Sequence, residues 1–172
     1  KTAWPPTYAV YGEGETDLET VVAEQLLQKQ LTLAVAESCT GGMIASKLVE
    51  YPGISAALVE GCVTYSNEAK MHRLGVKAET LEKYGAVSEE TAKEMAEGIA
   101  RTSGADIGLA TTGVAGPESS EGKPVGLVYI AVAYKGKTEV YTCHFVGKRN
   151  KIRERAAYTA LNRLRKGIND EA

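Results

Sequence analysis

The chain has 172 residues, 44% of them hydrophobic and 24% charged, with a formal net charge of −2 at pH 7. That length is enough to bury a core within one domain. The near-neutral charge excludes a surface built for nucleic acid or anionic lipid, and no apolar run is long enough to span a bilayer.

The opening, residues 1–16, carries a Pro pair and Gly12 and Gly14 around Glu13. This is linker composition, and residues 17–172 are expected to form the domain, with a separate N-terminal domain preceding it in the full-length protein. Thr16 and Asp17 followed by Glu19 read as a helix start, and Leu18, Val21, Val22, Leu26 and Leu27 form its apolar stripe. "LTLAVAE" is a short unbroken apolar strand of the kind covered on both faces. Cys39 or Thr40 then starts a helix through residue 50, stopped by Pro52 and Gly53.

"AALVEGCVTYS" reads as a second strand, and Ser66 and Asn67 cap a short helix closed by Gly75. Another short helix ends at Gly85, and Ser88 opens a longer one closed by Gly104. "ADIGLATTGVAGP" is a strand running into a Gly-rich loop, and the polar segment 117–124 is a mobile-loop candidate. "GLVYIAVAY" and "TEVYTCHFV" alternate about a Gly136-Lys137 hairpin signal, and a basic helix over residues 148–166 ends the chain. This order predicts an α/β fold: a three-layer α/β/α domain with a central mixed sheet.

Ligands of layered α/β sheets sit outside the carboxyl ends of the parallel strands. Three such ends carry unusual residues here. The first offers Glu37, Ser38 and Thr40, then Gly41 and Gly42 at a helix start, where backbone N–H groups can hold an anion or oxyanion. A plain helix cap explains the same residues. The second offers Tyr65, Ser66, Asn67 and Lys70. A lysine beside a hydroxyl can activate it without histidine, provided burial leaves the amine neutral. The alternative is a surface lysine on a short helix. The third, "TTGVAGP", offers Thr111, Thr112, Gly113 and Gly116 as a backbone nest or simply a tight turn. Neither a Walker A loop nor a dinucleotide fingerprint is present. Arg149 and Arg153 lie one turn apart in the last helix, placed to pair a phosphate or carboxylate or merely Glu154.

Cys39, Cys62 and Cys143 have no CxxC spacing, and His72 and His144 complete no ligand cluster. We expect no metal, no cofactor, reduced thiols and a cytoplasmic location.

"AESCTGG", "GCVTYSNEAK", "GAVSEETAKEMAEG", "TTGVAGP", "KPVGLVYIAV" and "VGKRNKIRERAA" occur in this order over residues 12–164. Together they resemble the C-terminal domain of the competence-damage-inducible (CinA) family, which is similar to the stand-alone nicotinamide mononucleotide deamidases. The resemblance implies hydrolysis of the carboxamide of nicotinamide mononucleotide (NMN) to nicotinate mononucleotide and ammonia, without metal. It implies a catalytic centre at Ser38 or Thr40 with Lys70 and with Tyr65 beside them. Gly41, Gly42, Asn67, Thr112, Gly113, Gly116 and Arg149 would bind the substrate or its oxyanion, and Glu37 would bind there too or orient Lys70 or the loop backbone. A homodimer or larger homo-oligomer is expected. The competing expectation is a non-catalytic module that binds a nucleotide or partner protein within a larger protein.

Overall fold

The computed structural model of the chain describes residues 17–169; the expected linker at 1–16 lies outside them. The elements in order are α1 (Leu18–Gln28), β1 (Leu33–Glu37), α2 (Met43–Leu48), a 3-10 turn (Ile54–Ala56), β2 (Leu58–Val63), α3 (Asn67–Leu74), α4 (Ala78–Tyr84), α5 (Glu89–Ser103), β3 (Ile107–Gly113), β4 (Leu127–Tyr134), β5 (Lys137–His144) and α6 (Arg149–Ile168). The sheet order is β2-β1-β3-β4-β5. β1 pairs in parallel with β2 and β3, and β3, β4 and β5 pair antiparallel. The sheet is mixed, helices cover both faces, and the fold class is α/β.

The two faces differ in side-chain size because side chains alternate along a strand. Leu33, Val35, Ile107, Leu109, Val128, Ile130 and Val132 point to the face covered by α1, α2 and α6. Ala34, Ala36, Ala110, Ala131 and Ala133 point to the other face, under α3 and α5. The small side brings α5 very near the sheet. A Cβ added to Gly108 would lie 2.1 Å from the Ala96 carbonyl oxygen, and one on Gly98 would lie 2.0 Å from that of Leu74. Only glycine fits those two crossings.

Capping follows the sequence where it is local. Asp17 accepts from the Thr20 amide, Ser66 from Ala69, and Ser88 from Thr91. At α2 it departs from it. The helix begins at Met43, after Gly41 and Gly42 with φ of +61° and +99°. Ser38 does not cap it. Left-handed backbone at both glycines turns the chain away from the strand before helical geometry can start.

The polar segment after β3 is also more tightly held than its composition predicts. Glu121 accepts from the Ala86 and Val87 amides at 2.9 and 3.0 Å, and Lys123 donates to the Tyr84 and Val87 carbonyls. The segment is thereby strapped to the α4–α5 turn. Among the described residues no helix is long and apolar enough to cross a membrane.

Candidate active site

β1, β2 and β3 run in parallel, so their carboxyl ends lie on one side of the sheet. There a cavity of about 380 Å³ is lined by Ser38, Tyr65, Asn67, Lys70, Thr112 and Arg149 among others. The three loops singled out in the sequence meet in it.

Lys70 is the largest fully buried side chain, 1% exposed. It sits on α3, one turn after the Ser66 cap, and reaches back under the end of β2. Its Nζ lies 2.8 Å from the Thr64 carbonyl oxygen, 3.0 Å from that of Tyr65, and 3.1 Å from Ser38 Oγ. None of these three partners is a carboxylate. Burial therefore dominates, and it lowers the Lys70 pKa from 10.5 to about 8, with the charge of Glu121 pulling it back upward. A neutral amine has two N–H donors and one lone pair. In that form two carbonyls take the donors and the lone pair is left for Ser38 Oγ, whereas in the ammonium form the third N–H donates to Ser38 Oγ.

Thr40 has different partners. Its hydroxyl donates to Glu37 Oε1 at 2.6 Å and lies 2.8 Å from Thr111 Oγ1. A hydroxyl has one proton, so Thr111 is the donor to Thr40. Thr40 is fully buried and does not line the cavity.

The Glu37 carboxylate also takes the amides of Gly42 and Ile44 at 3.1 Å each and of Ala45 at 3.0 Å. A buried carboxylate thus caps α2, which favours it through both hydrogen bonds and the helix dipole. For Glu37 this is the backbone-orienting alternative and not substrate contact, and for Gly41 and Gly42 it differs from the sequence expectation. Glu37 faces the helix rather than a substrate, Gly42 N–H is spent on it, and Gly41 N–H donates to the Ser38 carbonyl at 3.0 Å. None of the three lines the cavity.

Arg149 stands at the mouth. It donates to the Gly116 carbonyl and, at 3.1 Å, to the hydroxyl of Tyr65, which is 60% exposed. Thr112 donates to the Ala86 carbonyl at 2.7 Å, while Asn67 and Gly113 line the wall. Arg153, one turn beyond Arg149, does not reach the cavity and holds the Cys39 and Thr40 carbonyls instead. Cys39 does line it, but burial pushes its thiol up to about 12, so it stays protonated. All three cysteines are free.

Sequence reading overlooked Glu121 and Lys123. Each acts on backbone far away in the chain, so no local spacing announces them. Among the described residues no group of three or more His, Cys, Asp or Glu side chains could hold a metal ion.

The fold and site define a class: a three-layer α/β domain with a buried lysine against a serine hydroxyl at the carboxyl ends of its parallel strands. The family model of the CinA C-terminal domain matches residues 15–168, and the chain belongs to that family. Among curated relatives, a competence-damage inducible protein of Clostridioides difficile (strain 630) is 60% identical over 154 residues, covering 89% of this chain and 37% of the relative. One from Clostridium acetobutylicum is 54% identical, covering 92% and 39%. The chain thus spans under two-fifths of the length of these relatives. Among solved structures, a CinA superfamily protein of Klebsiella pneumoniae 700603 is 39% identical with a TM-score of 0.87, covering 89% of this chain and 96% of that one. One from Escherichia coli is 37% identical with a TM-score of 0.83, covering 89% and 92%.

Proposed function

We propose that the domain hydrolyses the carboxamide of nicotinamide mononucleotide, with Ser38 as nucleophile and Lys70 as base. The observation that carries the reaction class is the 3.1 Å approach of Lys70 Nζ to Ser38 Oγ with both remaining amine donors held by carbonyls. The choice of substrate rests on the motif resemblance. A cavity of about 380 Å³ with a cation at its mouth supports a compact anionic substrate.

In this reading Ser38 Oγ attacks the amide carbon while Lys70 takes the hydroxyl proton. The tetrahedral oxyanion accepts from backbone amides after Ser38. Lys70 then passes the proton to the departing nitrogen, the C–N bond breaks, and ammonia leaves. Lys70 next deprotonates a water that attacks the acyl carbon, returning Ser38 and releasing nicotinate mononucleotide. Arg149 binds the phosphate, steadied by Gly116 and Tyr65, and Asn67, Thr112 and Gly113 contact the ribose. Tyr65 acts here as a support for Arg149. Glu37, Thr40, Gly41 and Gly42 shape the nucleophile turn.

The greater length of the relatives supports a role beside a second domain in a longer protein. Self-association into a dimer or larger homo-oligomer is part of the proposal and is read by light scattering. Ammonia release from nicotinamide mononucleotide tests the reaction. Wild type should release it, and Ser38→Ala and Lys70→Ala should not. A wild type inert from pH 6 to 9 would sink the enzyme reading and leave a nucleotide- or partner-binding module.

A further inference from the structure

We propose that Arg153 is a positioning residue that aims the backbone amides after Ser38 at the oxyanion. This rests on the amide-hydrolysis reading above. Arg153 on α6 donates from Nε to the Cys39 carbonyl at 3.0 Å and from Nη2 to the Thr40 carbonyl at 3.1 Å. Its third nitrogen donates to Asn150 Oδ1 at 3.1 Å, which fixes the fork on its own helix. The fit is close: a Cβ on Gly41 would lie 2.9 Å from Nη2.

Two consecutive carbonyls held by one rigid fork fix two consecutive peptide planes. In a trans peptide the C=O and the following N–H point opposite ways. Turning the Cys39 carbonyl toward α6 therefore turns the Thr40 N–H away from it. The Ser38 carbonyl accepts from Gly41 inside the turn, so the Cys39 N–H points out of the turn. The neighbouring amides are engaged: Ser38 N–H donates to the Thr111 carbonyl at 3.1 Å, Gly41 to Ser38, and Gly42 to Glu37. For the amides of Cys39 and Thr40 no protein acceptor is found among the described residues. Two unspent donors directly after the nucleophile, with directions set from outside the cavity, suit an oxyanion. Glu37 grips the turn from its amide end, and Arg153 grips it from its carbonyl side.

The test uses Arg153→Lys and Arg153→Ala in the whole chain, with wild type alongside. A lysine keeps the charge but cannot fork two carbonyls. Both variants should lose about 100-fold in kcat, the scale of one lost oxyanion donor, with KM changed less than about twofold. The midpoint of the pH–rate profile should stay where wild type has it, because Lys70 is untouched. Millimolar guanidinium should restore Arg153→Ala, and ammonium should not. A kcat near wild type, a moved midpoint, or failure of guanidinium to rescue overturns the proposal. Should Arg153→Ala not fold, Arg153→Lys decides the matter by its kcat and midpoint.

A second readout is independent of the substrate. A fluorophosphonate forms a Ser38 Oγ–P bond as the P–F bond breaks, with the hydroxyl proton passing to Lys70 and fluoride leaving. Its phosphoryl oxygen occupies the oxyanion position, so labelling by intact mass should slow in both variants. If wild type is labelled but releases no ammonia, the substrate reading falls and the labelling rates alone judge Arg153. Equal rates in variant and wild type overturn the positioning role. A wild type inert in both assays overturns both readings.

Discussion

Thr40 and Glu37 are locked together: the threonine hydroxyl donates to Oε1 at 2.6 Å, within a carboxylate that also takes the Gly42 amide and two amides of α2. Two hydroxyls two residues apart thus have separate surroundings, Thr40 in the α2 cap and Ser38 against Lys70. Ser38→Ala should reduce ammonia release by at least about 1,000-fold while leaving the fold intact. Thr40→Val should do the opposite. It leaves buried hydrogen-bonding groups unsatisfied, so urea denaturation should show a loss of about 1–3 kcal/mol, with kcat retained within about tenfold.

Lys70 sets the pH dependence. In the proposed mechanism its neutral form is the base, so kcat/KM should rise with pH through about 8 and then level off. Stability follows the same group. With the folded pKa depressed from 10.5 to about 8, the unfolded chain binds the extra proton between those values, and stability rises with pH across that window. Cys39 opposes this at higher pH, because its folded pKa is raised from 9.0 to about 12 and burial costs stability as the unfolded thiol ionises. The informative quantity is therefore the difference between wild type and Lys70→Met. Wild type should gain relative to that variant by up to about 3 kcal/mol from pH 8 to 10.5, measured by urea denaturation.

Glu121 strapping the α4–α5 turn shapes the cavity wall. Hydrogen bonds from the Val87 and Ala86 amides and the nearby Lys123 hold its carboxyl below the usual range, against the effect of burial. Glu121→Ala should free those two amides, so their hydrogen exchange should accelerate. KM should rise several-fold with a smaller change in kcat. Unchanged exchange at Ala86 and Val87 would show that the strap does not hold the turn.

Gly108→Ala tests the small face of the sheet. The added methyl would lie 2.1 Å from the Ala96 carbonyl, so α5 must move away from β3. The expected cost is about 3 kcal/mol or more, read as a lower Tm. A thermally unperturbed variant would show that α5 does not rest on that contact.

Most of the fold is legible in the sequence because its signals are local. The caps at Asp17, Ser66 and Ser88, the apolar stripe of α1 and the Gly136 hairpin act within a few residues, and the elements appear where those signals lie. α2 is the exception. The serine three residues before a glycine pair imitates a cap, but the cap comes from Glu37, a strand residue whose carboxylate turns back under the helix. The segment 117–124 misleads likewise, because its polar composition hides two side chains gripping backbone in another loop.

The amino-acid sequence by itself determined the order of elements, the mixed α/β class, the family resemblance and the three loops with usable chemistry, since each depends on residue type and short spacing. The tertiary structure decided which hydroxyl faces the lysine, what Glu37 and Arg153 hold, and that Lys70 has no carboxylate among its hydrogen-bond partners. Those depend on parallel pairing of β1 with β2 and β3, which gathers groups from distant parts of the chain at one sheet edge. Burial there, more than spacing, lowers the basicity of the lysine beside the serine.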